Sequence, residues 1–271
     1  MNLNTITEIK RPSSTDDIYG WREGYAWLAG GTWLFSTPQI GTDTLIDLES
    51  LRWPALQASG EVRQPARSPN RFKAPADWVA APLMRLCCHS LLMSFKICNA
   101  ATVGGNICMS LPAGSMISLS VALEGVYTLW PRDAKPRNVA AIDFVTENHI
   151  NALRPGELLR SIHLPASALS KRFAFRRSSL THLGRSAVLI IGTQAAHSED
   201  FLVTVTAATV RPMQLHFDRV PTATKLRHAI DAHILDADYF DDVHGSAAYK
   251  RHLTYYYAEQ IRAELQHGAA A

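Results

Sequence analysis

The stretch AATVGGNICMSLPAG (residues 100–114) places two adjacent glycines, an asparagine and a proline between apolar flanks. Neither an ordinary helix nor an ordinary strand needs that combination. A second glycine turn, AGGT (residues 29–32), follows the apolar run 25–29, which predicts a strand. Glycine amides can approach a ligand closely and, at positive φ, form a concave site for anionic oxygens. The two turns together predict a diphosphate site with Thr32, Thr102 and Asn106 as further donors, although each turn alone also fits a plain strand end.

The amino-acid composition and charge argue against two classes of partner, nucleic acids and membranes. The chain has 271 residues, of which 47% are hydrophobic and 19% charged, and a formal net charge of +3. It contains no block of five basic residues, so we expect neither a nucleic-acid nor a membrane partner. No apolar window approaches the roughly 20 residues of a membrane span, and the N-terminal stretch is not apolar enough for a signal peptide. We therefore expect a cytoplasmic protein.

The cysteines do not predict a metal site. Cys87, Cys88, Cys98 and Cys108 lie within 22 residues but include no C-x-x-C pair, which zinc and iron–sulfur sites usually use. We expect buried free thiols instead. The sequence also lacks GxxxxGK[ST] and GxGxxG, so neither a P-loop nor a Rossmann nicotinamide site is indicated.

The pattern along the chain predicts an α+β fold. Helical character is predicted at 115–125, with Gly125 as its C-cap, whereas the proline-rich, basic segment 61–73 predicts an exposed loop or reflects a locally altered reading frame. Strand-like segments at 173–179, 187–196 and 201–210 predict a three-stranded antiparallel sheet. Helices at 222–234 and 246–265 follow it. The last helix carries a predicted packing face made of Tyr249, Leu253, Tyr257, Ile261 and Leu265.

LAGGTWL (28–34) and NAATVGGNICMSLPAG (99–114) resemble the AGGT and ATIGGN loops of the flavin subunits of molybdenum hydroxylases, the xanthine dehydrogenase and carbon monoxide dehydrogenase family. The resemblance continues through PGELLRSIHLP (155–165), VTAATVRPMQL (205–215) and GSAAYKRHLT (245–254). It implies a two-lobed FAD-binding domain of the PCMH type over 1–165, with lobes at about 1–56 and 57–165. A C-terminal domain like that of carbon monoxide dehydrogenase flavoproteins is implied over 166–271.

The resemblance also implies which residues bind FAD. One loop would wrap the diphosphate and the other would contact it and the ribityl chain, Ile162 would lie near the flavin ring, and Arg176 or Arg177 would reach the flavin edge. Trp33 and Ser115 stand where the family usually has aspartate. The implied cofactor-binding set is Leu28, Ala29, Gly30, Gly31, Thr32, Trp33, Ala101, Thr102, Gly104, Gly105, Asn106, Ser115, Ile162 and Arg176.

By this resemblance the chain would pass electrons from [2Fe-2S] clusters through FAD to NAD or another acceptor. The clusters would belong to a small partner subunit and molybdopterin to a large one, so no catalytic residue and no metal ligand are expected on this chain. Two alternatives stay open: a degenerate homologue that keeps the fold and subunit docking without FAD, and a stand-alone FAD enzyme.

Overall fold

The computed structural model describes residues 3–18, 20–54, 57–59, 61–64, 74–91, 95–131, 135–195 and 199–267. The strands in this part of the chain are β1 (Glu8–Lys10), β2 (Tyr25–Leu28), β3 (Thr44–Asp47), β4 (Gln57–Ser59), β5 (Glu61–Gln64), β6 (Val126–Trp130), β7 (Arg137–Ala140), β8 (Val145–Glu147), β9 (Ile150–Asn151), β10 (Leu158–Leu164), β11 (Arg172–Ser179), β12 (Ser186–Gln194), β13 (Phe201–Thr206) and β14 (Met213–Phe217). The α-helices there are α1 (Ala81–His89), α2 (Phe95–Ala100), α3 (Val103–Cys108), α4 (Ser115–Ala122), α5 (Ala141–Phe144), α6 (Ala166–Leu169), α7 (Ala223–His233) and α8 (Ala247–His267).

The N-terminal strands form a small parallel sheet in the order β1-β3-β2. The central strand β3 contributes the buried side chains of Leu45 and Ile46. Because the strands are parallel, the segments that follow them leave from one edge of the sheet. Ligands of open parallel sheets bind at that carboxyl edge, and the AGGT turn begins there, directly after Leu28.

An antiparallel sheet of five strands, β4-β5-β10-β6-β7, follows. The exposed loop predicted for 61–73 is wrong at its start, because Glu61–Gln64 forms β5 and pairs with both β4 and β10. The prolines that argued against a strand come later in the segment, and EVRQ itself keeps every backbone donor. Residues 65–73 lie outside the described part of the chain.

The C-terminal sheet is antiparallel in the order β11-β12-β13-β14. The predicted α+β class is confirmed, but this sheet has four strands rather than three. The prediction missed β14 because its five residues, MQLHF, follow Pro212 directly and look like the end of a loop. All nine residues of β12 are buried, since helix α8 packs against one face of the sheet and helix α4 against the other.

The predicted packing face of the long helix α8 is right at Ile261 and Leu265 but one position off in the first half of the helix. Its buried positions are Lys250, Thr254, Ala258, Ile261 and Leu265, whereas Tyr249 is 42% exposed. Close approach to the sheet fixes this rotation, because a Cβ on Gly192 of β12 would lie 2.2 Å from Ile261 Cγ2. Small or aliphatic side chains therefore face the sheet and the tyrosines lie beside it. No helix in the described ranges is long and apolar enough to cross a membrane.

Helix α4 lies between the two halves of the fold, and all eight of its residues are buried. It ends in a Schellman arrangement, in which the Glu124 amide donates to Val121 O at 3.0 Å and the Gly125 amide to Ser120 O at 2.7 Å. Glu124 has φ +52°, so it occupies the left-handed position that glycine usually fills. The predicted cap residue Gly125 is one position further on, where a Cβ would lie 2.8 Å from Ser120 O.

Candidate functional site

The two glycine segments touch each other. A Cβ on Gly30 would lie 1.7 Å from the carbonyl oxygen of Ala100 and 3.3 Å from Thr102 Cγ2. Real Cβ atoms essentially never come within 3.0 Å of such an atom. Only glycine therefore allows the turn after β2 to lie against the end of α2, and residues about 70 positions apart in sequence meet at one place.

The first segment is a turn whose shape depends on Gly31. This glycine has φ +66°, and its carbonyl accepts from the Phe35 amide at 2.8 Å. A Cβ here would lie 2.5 Å from the Phe35 ring. The six residues predicted to wrap the diphosphate, 28–33, are all half-buried. They keep partial access to solvent, as a ligand-binding turn requires.

The second segment differs from the predicted turn because it begins helix α3. Thr102 is the N-cap, and its Oγ1 accepts from the Gly105 amide at 3.0 Å. Gly104 and Gly105 are helical and do not have positive φ, so the predicted concave array of left-handed glycine amides is wrong here. Glycine at 105 instead leaves room for the cap, because a Cβ there would lie 2.8 Å from Thr102 Oγ1.

Asn106 and Ser115 meet at the start of helix α4. The Asn106 Oδ1 atom accepts from the Met116 amide at 3.0 Å and so holds the first turn of α4 against α3. Ser115 is fully buried, and its Oγ has no hydrogen-bond partner within the described residues. Burying an unpaired hydroxyl costs free energy unless a ligand or a water molecule bonds it. Ser115 Oγ is thus an atom that a bound molecule can satisfy.

A hairpin that the sequence interpretation missed completes the surroundings. The Trp33 and His149 ring centroids are 5.7 Å apart, and the His149 amide donates to Ser110 O at 2.9 Å. Asn151 Nδ2 donates to Ser110 Oγ at 2.9 Å and to Cys108 O at 3.0 Å. The hairpin β8–β9 therefore joins the first glycine turn to the segment that follows α3. The turn residues between VTE and IN were the signal that could have revealed it.

Two further predicted residues take no part in the hydrogen bonds of this group. Ile162 is 3% exposed, lies opposite Tyr127 and belongs to the hydrophobic cluster that also contains residues of α3, so its place near the flavin ring stays a prediction. Arg176 donates to Gln260 Oε1 at 2.7 Å and to Glu264 at 2.6 Å, so it faces helix α8. Because side chains alternate along a strand, Arg176 lies on the face of the sheet away from α4, and its role at the flavin edge stays a prediction.

The neighbouring Arg177 points to the opposite face of the sheet, on which Phe175 and Leu189 pack against the core that contains α4. Its Nε donates to Ser186 Oγ at 2.8 Å. Burial lowers the pKa of Arg177 without removing its charge. Of the two arginines considered from the sequence, Arg177 is the one on the side of the core that contains α4.

Two tryptophans join the small lobe to the five-stranded sheet, and an ion pair within the region of that sheet holds Glu157, the partner of one of them. Trp27 Nε1 donates to the Glu157 carbonyl at 3.1 Å, and the Arg160 guanidinium stacks 3.8 Å from the Trp53 ring centroid. The Glu157 carboxylate is buried and accepts from Arg137 Nε at 2.9 Å and Nη2 at 2.6 Å. Arg137 therefore lowers the pKa of Glu157. These contacts fix the lobe that carries the first glycine turn.

The cysteine prediction agrees with the structure where side chains are described. Cys87 and Cys88 are buried, Cys108 is half-buried, and none of these three forms a disulfide bond. Burial raises the pKa of the Cys87 thiol, which keeps it protonated. The side chain of Cys98 lies outside the described residues. Within the described ranges, no group of three or more His, Cys, Asp or Glu side chains is placed to hold a metal ion.

The central region of the chain matches a known family of domains. Residues 89–167 match the family model described as the FAD binding domain in molybdopterin dehydrogenase. This match confirms the resemblance based on the glycine segments, and FAD, the predicted cofactor, is the one that this family of domains binds. No curated protein sequence matches the chain.

Solved structures share the fold over the whole chain. A chain of quinoline 2-oxidoreductase from Pseudomonas putida 86 is 17% identical, with a TM-score of 0.80 and 100% of both chains covered. A chain of the cyanide-inactivated Cu,Mo-CO dehydrogenase is 19% identical, with a TM-score of 0.77 over 94% of this chain and 97% of that one. A chain of reconstituted CO dehydrogenase from Oligotropha carboxidovorans is 20% identical, with a TM-score of 0.77 over 97% and 99%. These likenesses show that the protein has the fold of those chains.

Proposed function

We propose that the chain is the FAD-binding, electron-transferring subunit of a multi-subunit molybdenum hydroxylase. The observation that carries the proposal is the contact of Gly30 with Ala100 and Thr102, which brings the two glycine segments together at the carboxyl edge of a parallel sheet. Ser115 Oγ, buried and without a partner among the described residues, supplies a polar atom that fits a hydroxyl-bearing ligand. The family match over 89–167 supports FAD as that ligand.

The residues of this chain have a binding and orienting role. The turn 28–33 would hold the diphosphate from one side, and residues 101–106 would hold it from the other. Ser115 Oγ would donate to or accept from a ribityl hydroxyl, whereas Asn106 Oδ1 stays on the Met116 amide and acts indirectly. Trp33, held by His149, would cover the cofactor and exclude water. Bound FAD would supply the redox chemistry, since the protein contributes binding, orientation and electrostatics.

We infer the partner subunits from the family match, and not from a docking surface on this chain. We propose a molybdopterin-binding large subunit, a small subunit with [2Fe-2S] clusters as the electron source, and NAD or another small molecule as the acceptor. The names of the similar structures support this assignment, since they describe CO dehydrogenases and a quinoline oxidoreductase. We further propose that the complex is cytoplasmic.

The first experiment is an absorption spectrum of the purified chain, with the released cofactor identified and quantified after heat denaturation. One FAD per chain supports the proposal. A colourless, folded protein that remains so after incubation with FAD contradicts it and favours a homologue that docks with partners without a flavin. Co-purification with iron–sulfur and molybdenum subunits separates both of these from a stand-alone flavoenzyme.

A further inference from the structure

The C-terminal sheet is hydrogen-bonded to helix α4 through two buried hydroxyls. Thr206 Oγ1, at the end of β13, donates to the Leu189 carbonyl at 3.0 Å. Ser118 Oγ lies 2.6 Å from Thr206 Oγ1. Either hydroxyl can be the donor of this bond, because Ser118 Oγ also has an acceptor of its own in Gly114 O, at 3.3 Å. Ser118 and Thr206 are 1% and 2% exposed, respectively.

Two further bonds connect the same sheet to the ends of this helix. The Ala207 amide donates to Pro112 O at 2.9 Å, three residues before α4 begins. Gln214 Nε2 on β14 donates to Val121 O at 2.9 Å, near the end of α4. Ala207 is buried with φ +63°, a backbone conformation that costs about 1–2 kcal/mol outside glycine. The contacts around Ala207, including its hydrogen bond to Pro112 O, therefore offset the cost of this backbone conformation.

Helix α4 in turn carries the polar groups of the candidate site. Ser115 is its first residue, and the Met116 amide is held by Asn106 of the second glycine segment. The helix is buried on every side, and its serines form directional hydrogen bonds to both halves of the fold. Ser120 Oγ lies 2.5 Å from Tyr127 Oη in the five-stranded sheet, and Ser118 Oγ lies 2.6 Å from Thr206 Oγ1 in the C-terminal sheet. The bond to Thr206 therefore contributes to the rotation of α4, and with it to the direction of Ser115 Oγ.

We propose that Thr206 is a positioning residue for the cofactor site: through Ser118 it sets the rotation of helix α4 and so the placement of Ser115 and Asn106. This inference rests on the proposed function, namely that FAD is the ligand. Thr206 itself contacts neither glycine segment in any hydrogen bond of the described residues, and it acts only through the helix.

The test compares Thr206→Val with two matched variants of the full chain. Thr206→Ser keeps the hydroxyl and removes only a methyl group. Thr193→Val removes a hydroxyl from β12 that is 1% exposed and has no partner in the described ranges, so it controls for the loss of a buried threonine from the same sheet. If Thr206→Val does not fold, Ser118→Ala removes the same bond from the helix side.

The measurements are the FAD dissociation constant, the thermal midpoint of the FAD-free chain, and hydrogen exchange of peptides covering 101–118. We expect Thr206→Val to weaken FAD binding about fivefold, equivalent to about 1 kcal/mol, and to speed exchange over 101–118. Thr206→Ser should restore both, and Thr193→Val should change neither.

The outcomes separate the two proposals. A wild-type chain that binds no FAD contradicts the proposed function and removes the basis for a cofactor role. A wild-type chain that binds FAD, together with a Thr206→Val variant of unchanged affinity and unchanged exchange at 101–118, overturns the positioning role alone. A lowered thermal midpoint with unchanged affinity also overturns it, because that is the effect of a purely structural bond.

Discussion

Replacing Gly30 by alanine tests the contact on which the candidate site depends. The new Cβ would lie 1.7 Å from Ala100 O and 2.9 Å from Ala100 C. For the first contact to reach even 3.0 Å, the two backbones must separate by about 1.3 Å. A hydrogen bond to a charged group such as a diphosphate is worth about 1.5–3 kcal/mol, so losing one to this displacement can cost about 100-fold in affinity. Overpacking a contact costs about 1–3 kcal/mol of folding stability. We therefore expect Gly30→Ala to lower FAD affinity about 100-fold and to lower stability modestly.

The assay is a titration of FAD-free protein with FAD, followed by flavin fluorescence, together with urea unfolding. Gly41→Ala is the matched control, because a Cβ at Gly41 meets nothing within 4 Å and its φ is not in the left-handed range. The control should bind FAD like the wild type. If Gly30→Ala retains wild-type FAD affinity while remaining folded, the two glycine segments do not form the binding site together.

Three further outcomes follow from described contacts. Ser115→Ala should weaken FAD binding about tenfold, about 1.4 kcal/mol, without lowering the thermal midpoint of the FAD-free chain, because its Oγ has no protein partner in the described ranges; a lower midpoint contradicts this. Gly125→Ala should lower the free energy of unfolding in urea by about 1–3 kcal/mol, because its Cβ would lie 2.8 Å from Ser120 O; no change would mean that the helix end adjusts freely. Glu157→Gln should cost about 3 kcal/mol in the same assay at pH 7, because Arg137 loses its charged partner. Since Arg137 lowers the pKa of Glu157 below 4.5, this contribution is complete above pH 4.5 and disappears as the pH falls through the folded-state pKa. Wild-type and variant stabilities should then converge in acid, and a constant difference would contradict the assignment.

The sequence predicted those strands and helices that can be recognised from residues close together in the chain. The strand before AGGT and the helix at 115–122 follow from apolar runs bounded by glycine. The α+β class followed from the succession of strands and helices. The glycines of AGGT were predicted to let a ligand approach closely, and the structure shows that Gly30 also lets the carbonyl of Ala100 approach.

The remaining features depend on contacts between distant segments. The predicted face of α8 was right at Ile261 and Leu265. It was one position off in the first half of the helix, where Lys250 rather than Tyr249 is buried. Arg176 was assigned to the flavin although strand alternation, fixed by the register with Ile190, turns it toward α8. Thr102 was predicted to donate to a ligand, and its Oγ1 in addition accepts from the Gly105 amide as the N-cap of α3. The sequence does not show such contacts, because they depend on which protein groups lie nearby in the fold.

The burial of α4 on all sides has a consequence for how the chain folds. Its residues pack with Leu189 and Ile191 of the C-terminal sheet as well as with the core of the five-stranded sheet. Neither half can complete its interior before the other has formed, although the predicted domain boundary lies after residue 165. We therefore expect a single calorimetric transition for the whole chain. A fragment that ends at residue 165 should remain a loosely packed, dye-binding state, because one side of its central helix would face water.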